Sequence, residues 1–217
     1  ANTLAFLGVQ WDLEIYLPLG EYLKHYAMGG TLQAYPNPLL DMMNDLVHAD
    51  GPSAKNYGPE LDRRNTIGNT ELALKKARAA GVQIGYVRVG FSPDYRECPE
   101  TSKIFGGAKK AGIFKLGTWG TEVHQALAPQ PGDFDIIKHR VSPFYATSLE
   151  AILQAQQIKR LYVSGVSSSG AVLSAAKDGH DRGYDVFILD DCCCALSEAQ
   201  HHPIIDQIGR ASCRERV

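Results

Sequence analysis

The sequence predicts an α/β domain: a three-layer structure with a mostly parallel, doubly wound sheet and helices on both faces. Between Asn69 and Leu189, short apolar runs typical of buried strands alternate with segments whose apolar residues recur at helical spacing. This alternation is typical of βαβ units with right-handed crossovers. The chain has 217 residues, enough for one domain with a substantial core.

The elements from Asn69 onward follow in regular order. Apolar residues at helical spacing predict a helix that ends at Gly81, and residues 82–89 then form a strand. Five further elements are expected, a strand, a helix, a strand, a helix and a strand: residues 134–137, 148–156, 160–164, 170–182 and 186–189.

A long loop, residues 90–132, joins the strands at 82–89 and 134–137. It contains four prolines and the pair Gly106-Gly107. Loops of this length in compact domains are often functional. We therefore expect this loop to contribute to a site.

The first 68 residues give a weaker pattern. Residues 3–9 have the composition of a strand. Residues 39–47 can form either a strand or a helix, because their apolar residues lie at helical spacing and Asn37 and Pro38 suit a helix start. The local pattern alone favours a helix here.

Residues 1–208 are expected to form this single domain. The last nine residues, 209–217, contain three arginines and have no apolar period. We expect them to be a non-native or disordered tail outside the fold.

The charge and hydropathy of the chain exclude several classes of partner. The formal net charge is −2 without a block of like charges, so nothing predicts binding to nucleic acid or to an anionic membrane. No apolar run is long enough to span a bilayer, and the N-terminus lacks the layout of a signal peptide. We expect a cytoplasmic protein with a small-molecule substrate.

No metal or cofactor motif is present in the sequence. The seven histidines form no HExxH pair, and neither a Walker loop nor a GxGxxG turn follows a strand. The five cysteines, including the triplet Cys192, Cys193 and Cys194 placed after the strand that ends at Leu189, have neither zinc nor disulfide spacing. We expect reduced thiols that serve as small buried hydrophobes.

Two segments in the second half of the chain predict a site. Lys138 ends one expected strand, and Gly170 and Ala171 begin a helix directly after another. In a parallel sheet, the carboxyl ends of strands and the helix starts that follow them share one crevice. The N–H groups of a helix start suit a developing oxyanion, and burial can shift the pKa of a lysine.

The three serines before this helix do not predict a serine nucleophile. Ser167, Ser168 and Ser169 lack the Gly-x-Ser-x-Gly pattern of the nucleophile elbow. We expect their hydroxyls to cap the helix.

Four stretches, in this order and spacing, resemble the isochorismatase-like hydrolases, often called cysteine hydrolases. They are DMMNDLVHADG (41–51), ARAAGVQIGYVRVGF (77–91), IIKHRVSPFYATSLE (136–150) and GVSSSGAVLS (165–174). The resemblance covers most of the chain, from about Leu39 to His201. It implies hydrolysis of a small molecule and a homo-oligomer.

The resemblance also implies a set of site residues. Asp41 matches the aspartate that ends the family's first strand, and Lys138 matches its lysine. Ala171 stands where the cysteine nucleophile belongs, and the Gly170 and Ala171 N–H groups match the oxyanion hole. A cis peptide bond is implied between Val166 and Ser167.

Further side chains at strand ends or in loops are candidates for substrate binding. They are one arginine, which could hold a carboxylate, and four aromatic residues: Arg88, Phe91, Trp119, Phe144 and Tyr145. For the aromatic residues, core packing or an oligomer contact is an equal alternative.

A rival alignment would place Gly8 at the aspartate position. It uses the better strand at residues 4–7, which directly precedes Gly8, whereas the segment before Asp41 is short and contains Pro36 and Pro38. We prefer Asp41 because its distance in sequence to Ala77 suits the family, and the much longer distance from Gly8 does not.

The methyl group of Ala171 leaves three interpretations of function. It cannot attack a carbonyl, so the acyl-enzyme route is closed in this chain. The parent enzyme is expected to hydrolyse a C–N (amide) bond, with the cysteine replaced by engineering or in a natural branch. The alternatives are vinyl-ether hydrolysis of the isochorismatase type, which uses Asp41, Lys138 and water, and an inactive ligand-binding or scaffolding protein.

Overall fold

A parallel sheet of six strands is the centre of the fold within residues 37–209 and 213–215, which the computed structural model describes. The strands are β1 (Asn37–Leu40), β2 (Ile84–Val89), β3 (Phe134–Lys138), β4 (Arg160–Val166), β5 (Asp185–Cys194) and β6 (Cys213–Glu215). Their order in the sheet is β3-β2-β1-β4-β5-β6. The strand expected at residues 3–9, and Gly8 with it, lie outside the described residues.

Seven α-helices accompany the strands in the described part of the chain. They are α1 (Asn44–Val47), α2 (Ala54–Arg63), α3 (Thr66–Ala79), α4 (Ala108–Ala111), α5 (Leu149–Ala155), α6 (Leu173–Asp181) and α7 (Glu198–Ile208). Two 3-10 turns, Trp119–Thr121 and Gln125–Leu127, lie in the long loop, and a π-helical turn, Ser168–Val172, precedes α6.

The sheet is buried on both faces, because alternate residues of each strand point to opposite sides. Leu40 and Val87 pack on one face against α5, α6 and α7. Leu39 and Tyr86 pack on the other face against α2 and α3. The predicted three-layer, doubly wound α/β fold is therefore confirmed.

The helix favoured by the local pattern at residues 39–47 is wrong for its first part. Leu39 and Leu40 belong to β1, and the helix begins only at Asn44. Both leucines are buried, on opposite faces of the sheet. A strand that is buried on both sides reads as a continuous apolar run, and such a run can match helical spacing by coincidence.

Strand β5 extends five residues beyond the predicted end, to Cys194. The cysteine triplet therefore lies inside the strand rather than after it. Cys192, Cys193 and Cys194 are completely buried, and burial raises the pKa of each thiol. Thiols with a raised pKa are poor nucleophiles at neutral pH, as expected for cysteines that fill a core.

Strand β6 lies within the tail that was expected outside the fold. Residues 213–215 pair in parallel with Phe187, Ile188 and Leu189 of β5. A β-edge accepts main-chain hydrogen bonds without requiring an apolar pattern in the added strand, so these three residues pair although they have no apolar period. The division into a domain at residues 1–208 and a non-native or disordered tail at 209–217 stays a prediction.

The close contact between β1 and β4 depends on Gly165. Its φ is +130°, a conformation that side chains rarely adopt, and it pairs with Leu40. A Cβ atom at Gly165 would lie 2.1 Å from the carbonyl oxygen of Leu40. Only glycine allows the two strands to approach at this point.

We predict that Gly165→Ala destabilises the protein by at least about 1 kcal/mol, because the added methyl group must push β1 away and accept a strained φ. Urea unfolding measures the change. Gly107→Ala is the matched control, since its backbone is αR and no atom lies near its Cβ position. It should change stability by no more than about 1 kcal/mol; equal losses in both variants would contradict the prediction.

Candidate active site

The carboxylate of Asp41 lies at the carboxyl ends of the central strands. Asp41 directly follows β1, has a left-handed backbone with φ of +55°, and donates its N–H to the Val87 oxygen at 2.9 Å. Its Oδ1 accepts the N–H of Val89 at 2.7 Å. The carboxylate is thereby fixed across the ends of β1 and β2.

Lys138 reaches this carboxylate from the end of β3. Its Nζ lies 2.8 Å from Oδ2 of Asp41 and 3.3 Å from the carbonyl oxygen of Arg140, to which it donates. The side chains of both partners are buried, with 6% exposure for Asp41 and 2% for Lys138. The structure thus joins the ends of β1, β2 and β3 through one ion pair.

Burial decides the proton affinity of Asp41. It raises the pKa of this carboxyl, whereas the charge and hydrogen bond of Lys138 and the N–H of Val89 lower it in part. The net direction is upward. A carboxyl with a raised pKa can exchange a proton closer to neutral pH, which suits a general acid or base.

The nucleophile position lies beyond the next strand, β4. Because Leu40 pairs with Gly165, the chain that leaves β4 starts beside the residue that precedes Asp41. The peptide bond Val166–Ser167 is cis, and the turn Ser168–Val172 follows it. Ala171 lies in this turn with 4% exposure.

The turn differs from the expected oxyanion hole in one respect. The N–H of Gly170 donates to the carbonyl oxygen of Ser167 at 3.1 Å, and so does the N–H of Val172 at 3.2 Å. The Gly170 donor is therefore used within the turn instead of being free for a ligand.

The serines do not cap the helix as expected. No side-chain cap is present at Ser167, which starts the turn. The Ser168 hydroxyl instead lies 2.7 Å from Nδ1 of His201, and the Ser167 and Ser169 hydroxyls lie 3.4 Å apart. The capping prediction is wrong because these hydroxyls bond elsewhere: that of Ser167, at the cap position, to Tyr57 and that of Ser168 to His201.

Arg88 is already paired. It forms two hydrogen bonds with the carboxylate of Asp135, one of them at 2.9 Å, and donates to the carbonyl oxygen of Thr121. A substrate carboxylate at this position would have to displace Asp135.

The four aromatic candidates fall into two groups. Phe91 and Phe144 are buried, Phe91 under the long loop and Phe144 in the main core, where it stacks on Tyr184. Trp119 and Tyr145 are exposed by 46% and 61%. Tyr145 borders a surface groove of about 390 Å³ that also includes Arg140, two residues beyond Lys138.

The long loop covers the segment after Asp41. The N–H of Asn44 donates to Glu122 and the N–H of His124 donates to Met42, at 3.0 and 2.9 Å. The side chain of Asp45 accepts the N–H of Phe114 at 2.6 Å. The loop is therefore part of the structure around the site, as its length suggested.

Tyr57 is a neighbour of the site that the sequence analysis missed. It lies in α2 and packs against the cluster that contains Met42 and Cys194. Burial raises the pKa of its phenol, a hydrogen bond with the Ser167 side chain lowers it, and the charges of Cys194 and Asp41 raise it further. No motif marks Tyr57, so only its position in space identifies it.

Residues 37–209 and 213–215 contain no group of three or more His, Cys, Asp or Glu side chains that could hold a metal ion. In the same ranges, no helix has both the length and the apolar character needed to cross a membrane.

The chain is similar to known hydrolases over most of its length. A family model described as the Isochorismatase domain matches residues 39–212. The ureidoacrylate amidohydrolase RutB of Agrobacterium fabrum is 30% identical over 206 residues, covering 84% of this chain and 87% of the relative. RutB of Methylorubrum extorquens is 33% identical over 192 residues, with 74% of each chain covered.

Solved structures share the fold. An isochorismatase family protein from Desulfovibrio vulgaris superimposes with a TM-score of 0.75 at 23% identity, covering 85% of this chain and 94% of the other. N-carbamoylsarcosine amidase from Thermoplasma acidophilum gives a TM-score of 0.66 at 24% identity, with 84% and 96% covered. At these identities the likeness establishes the fold alone.

We predict that Lys138→Met costs about 3–5 kcal/mol of stability at pH 7, because it leaves the Asp41 carboxylate buried without its counter-charge. Without Lys138, burial raises the pKa of Asp41 further, so the folded state binds a proton more tightly than the unfolded state. Stability then falls as pH rises above the ordinary carboxyl range, and acidification restores it.

Urea unfolding between pH 8 and 5 tests this prediction, with the double variant Asp41→Asn/Lys138→Met as control. The loss in Lys138→Met should shrink as the pH is lowered, and the difference between the two variants should shrink with it. A loss that is independent of pH would contradict the prediction.

Proposed function

The chain belongs to the isochorismatase family, and we propose that its parent form hydrolyses a C–N bond of a small amide or ureido compound, with a cysteine at position 171 as the nucleophile. One observation carries this proposal: the buried Asp41–Lys138 pair at the strand ends, with 2.8 Å between Nζ and Oδ2. The turn that carries position 171 follows the strand paired with β1.

The proposed reaction assigns a role to each group. Asp41 takes the proton of the thiol, and the thiolate attacks the carbonyl carbon to form a tetrahedral intermediate. The N–H of residue 171 donates to the oxyanion, and the N–H of Gly170 contributes only if it exchanges its bond to Ser167. Asp41 then gives the proton to the leaving nitrogen and the C–N bond breaks, which leaves a thioester from an amide or a thiocarbamate from a ureido compound. Water hydrolyses this intermediate and restores the thiol.

Lys138 supports Asp41 in this scheme. A carboxyl in an apolar site without a counter-charge would hold its proton and could not act as a base. The ammonium at 2.8 Å opposes the effect of burial. The pair thus keeps Asp41 able to take and return a proton.

The ureido class is our choice of substrate because two similar proteins are ureidoacrylate amidohydrolases. Ala171 closes the covalent route in the present chain, since a methyl group cannot attack a carbonyl. We therefore infer that this chain is inactive or slow in C–N hydrolysis. Its assembly as a homo-oligomer and its location in the cell stay predictions.

Vinyl-ether hydrolysis is the second candidate, and the absence of a thiol at position 171 favours it. Asp41, with its raised pKa, would protonate the vinyl carbon, and water would add to the resulting cation and return a proton to Asp41. The hemiketal formed in this way then collapses to a carbonyl compound and an alcohol, with cleavage of the ether C–O bond. This route uses Asp41, Lys138 and water alone. A ligand-binding or scaffolding protein without activity is the third candidate.

We predict that Ala171→Cys gains hydrolysis of ureidoacrylate or a related ureido compound, while the chain with Ala171 stays at background. Release of ammonia measures the activity. Removal of the proton-transfer group in Ala171→Cys/Asp41→Asn should lower the rate by about 10²–10⁴-fold.

The outcomes separate the three candidate functions. Turnover of isochorismate by the chain with Ala171 would establish the vinyl-ether route and refute the need for a thiol. A folded Ala171→Cys variant without activity on ureido and amide compounds, together with no isochorismate turnover, would support the inactive protein.

A further inference from the structure

Three buried polar side chains, Ser168, His201 and Asp190, form a hydrogen-bonded network that ends at the turn carrying position 171. The Ser168 hydroxyl lies 2.7 Å from Nδ1 of His201, and Nε2 of His201 lies 2.7 Å from Oδ1 of Asp190. Ser168 and His201 are fully buried and Asp190 is 2% exposed. This network connects the turn Ser168–Val172 to α7 and β5.

Arg64 fixes the network at Asp190, the end opposite to the turn. Its guanidinium lies 3.1 Å from Oδ1 of Asp190 and also donates to the carbonyl oxygens of Asp190 and Cys193, at 2.7 and 3.0 Å. The negative charge of Asp190 is thereby compensated by a cation that is bonded to the backbone of β5. A network tied in this way holds its members in one geometry.

The residue types are those of a serine nucleophile with its base and orienting acid, but the burial argues against that role. A substrate carbonyl cannot reach a hydroxyl with no exposed surface. The network must therefore act on the structure around it rather than on a ligand.

We propose that Ser168, His201 and Asp190 are positioning residues that hold the attacking group at position 171 in place. This inference rests on the proposed function, since it takes position 171 as the point of attack. Ser168 lies three residues before position 171 in the same turn. The hydrogen bond to His201 ties that turn to α7 from outside, and Ile205 of α7 packs in the same cluster as Ala171.

The Ser168 hydroxyl adds a bond from outside to a turn that is also held by its own backbone. The hydrogen bonds from Gly170 and Val172 share one acceptor, the Ser167 oxygen, at 3.1 and 3.2 Å, and the N–H of Leu173 donates to the oxygens of Gly170 and Ser168. Loss of the Ser168 hydroxyl leaves Nδ1 of the buried His201 without its partner and removes the side-chain bond between the first residue of the turn and α7. The introduced thiol in Ala171→Cys then loses its fixed position relative to Asp41.

Alkylation of that thiol tests the proposal without a substrate. Ala171→Cys is the parent, and its reaction with iodoacetamide between pH 6 and 9 is followed by mass spectrometry of the labelled peptides. The parent is compared with variants that add Ser168→Ala, Ser168→Thr or His201→Asn. Ser169→Ala is the matched control, because it removes a hydroxyl of the same turn that bonds to Ser167 rather than to His201.

We expect Ser168→Ala and His201→Asn to slow alkylation at position 171 at least tenfold at neutral pH and to change its pH profile, because Asp41 can no longer take the proton of the displaced thiol. Ser168→Thr, which keeps the hydroxyl, and Ser169→Ala should stay within threefold of the parent. The buried Cys192, Cys193 and Cys194 report on the fold in each sample, since they react only if it opens.

Three results would overturn the proposal. Equal alkylation rates and pH profiles in the parent, Ser168→Ala and His201→Asn would show that the network does not position residue 171. Unfolding of both variants would show that the network is required for folding and does not act as a positioning device. A parent thiol no more reactive than Cys192 would refute the proposed function itself, and the inference with it.

Discussion

The ion pair between Asp41 and Lys138 is the interaction on which the site depends. It connects strand ends that come from separate parts of the chain, and both partners are buried. A buried ion pair is a weak source of stability, because apolar residues of the same size often serve as well. Its presence therefore fits the proton transfer that we propose for Asp41 better than a contribution to folding, although the chain lacks a nucleophile at position 171.

The fold from Asn69 onward could be predicted because strand and helix patterns alternate there without conflict. The segment at Leu39 and Leu40 could not, since a strand covered on both faces loses the alternation that distinguishes it from a helix. The end of β5 was missed for a related reason. Asp190 is polar and therefore suggests a strand end, yet Arg64, which is distant in sequence, and His201 of α7 bond to its carboxylate inside the sheet.

The site was predictable only in part. Asp41 and Lys138 were found from the order and spacing of four motifs, and no local pattern would have paired them. Sequence alone cannot distinguish a phenylalanine that lines a pocket from one that packs in a core, and Phe91 and Phe144 are surrounded by other apolar side chains. Ser168, His201 and Asp190 are scattered along the chain, so their hydrogen bonds become visible only in three dimensions.

The left-handed backbone of Asp41 limits which residue types position 41 can accept. With φ at +55°, aspartate, asparagine and glycine are tolerated far better than branched or bulky residues. A lineage released from selection for catalysis would therefore not drift freely here. A loss of activity would be recorded as asparagine or glycine at position 41 together with an uncharged residue at position 138, because a lone buried ammonium is costly. A hydrophobic residue at position 41 would indicate a rebuilt strand end.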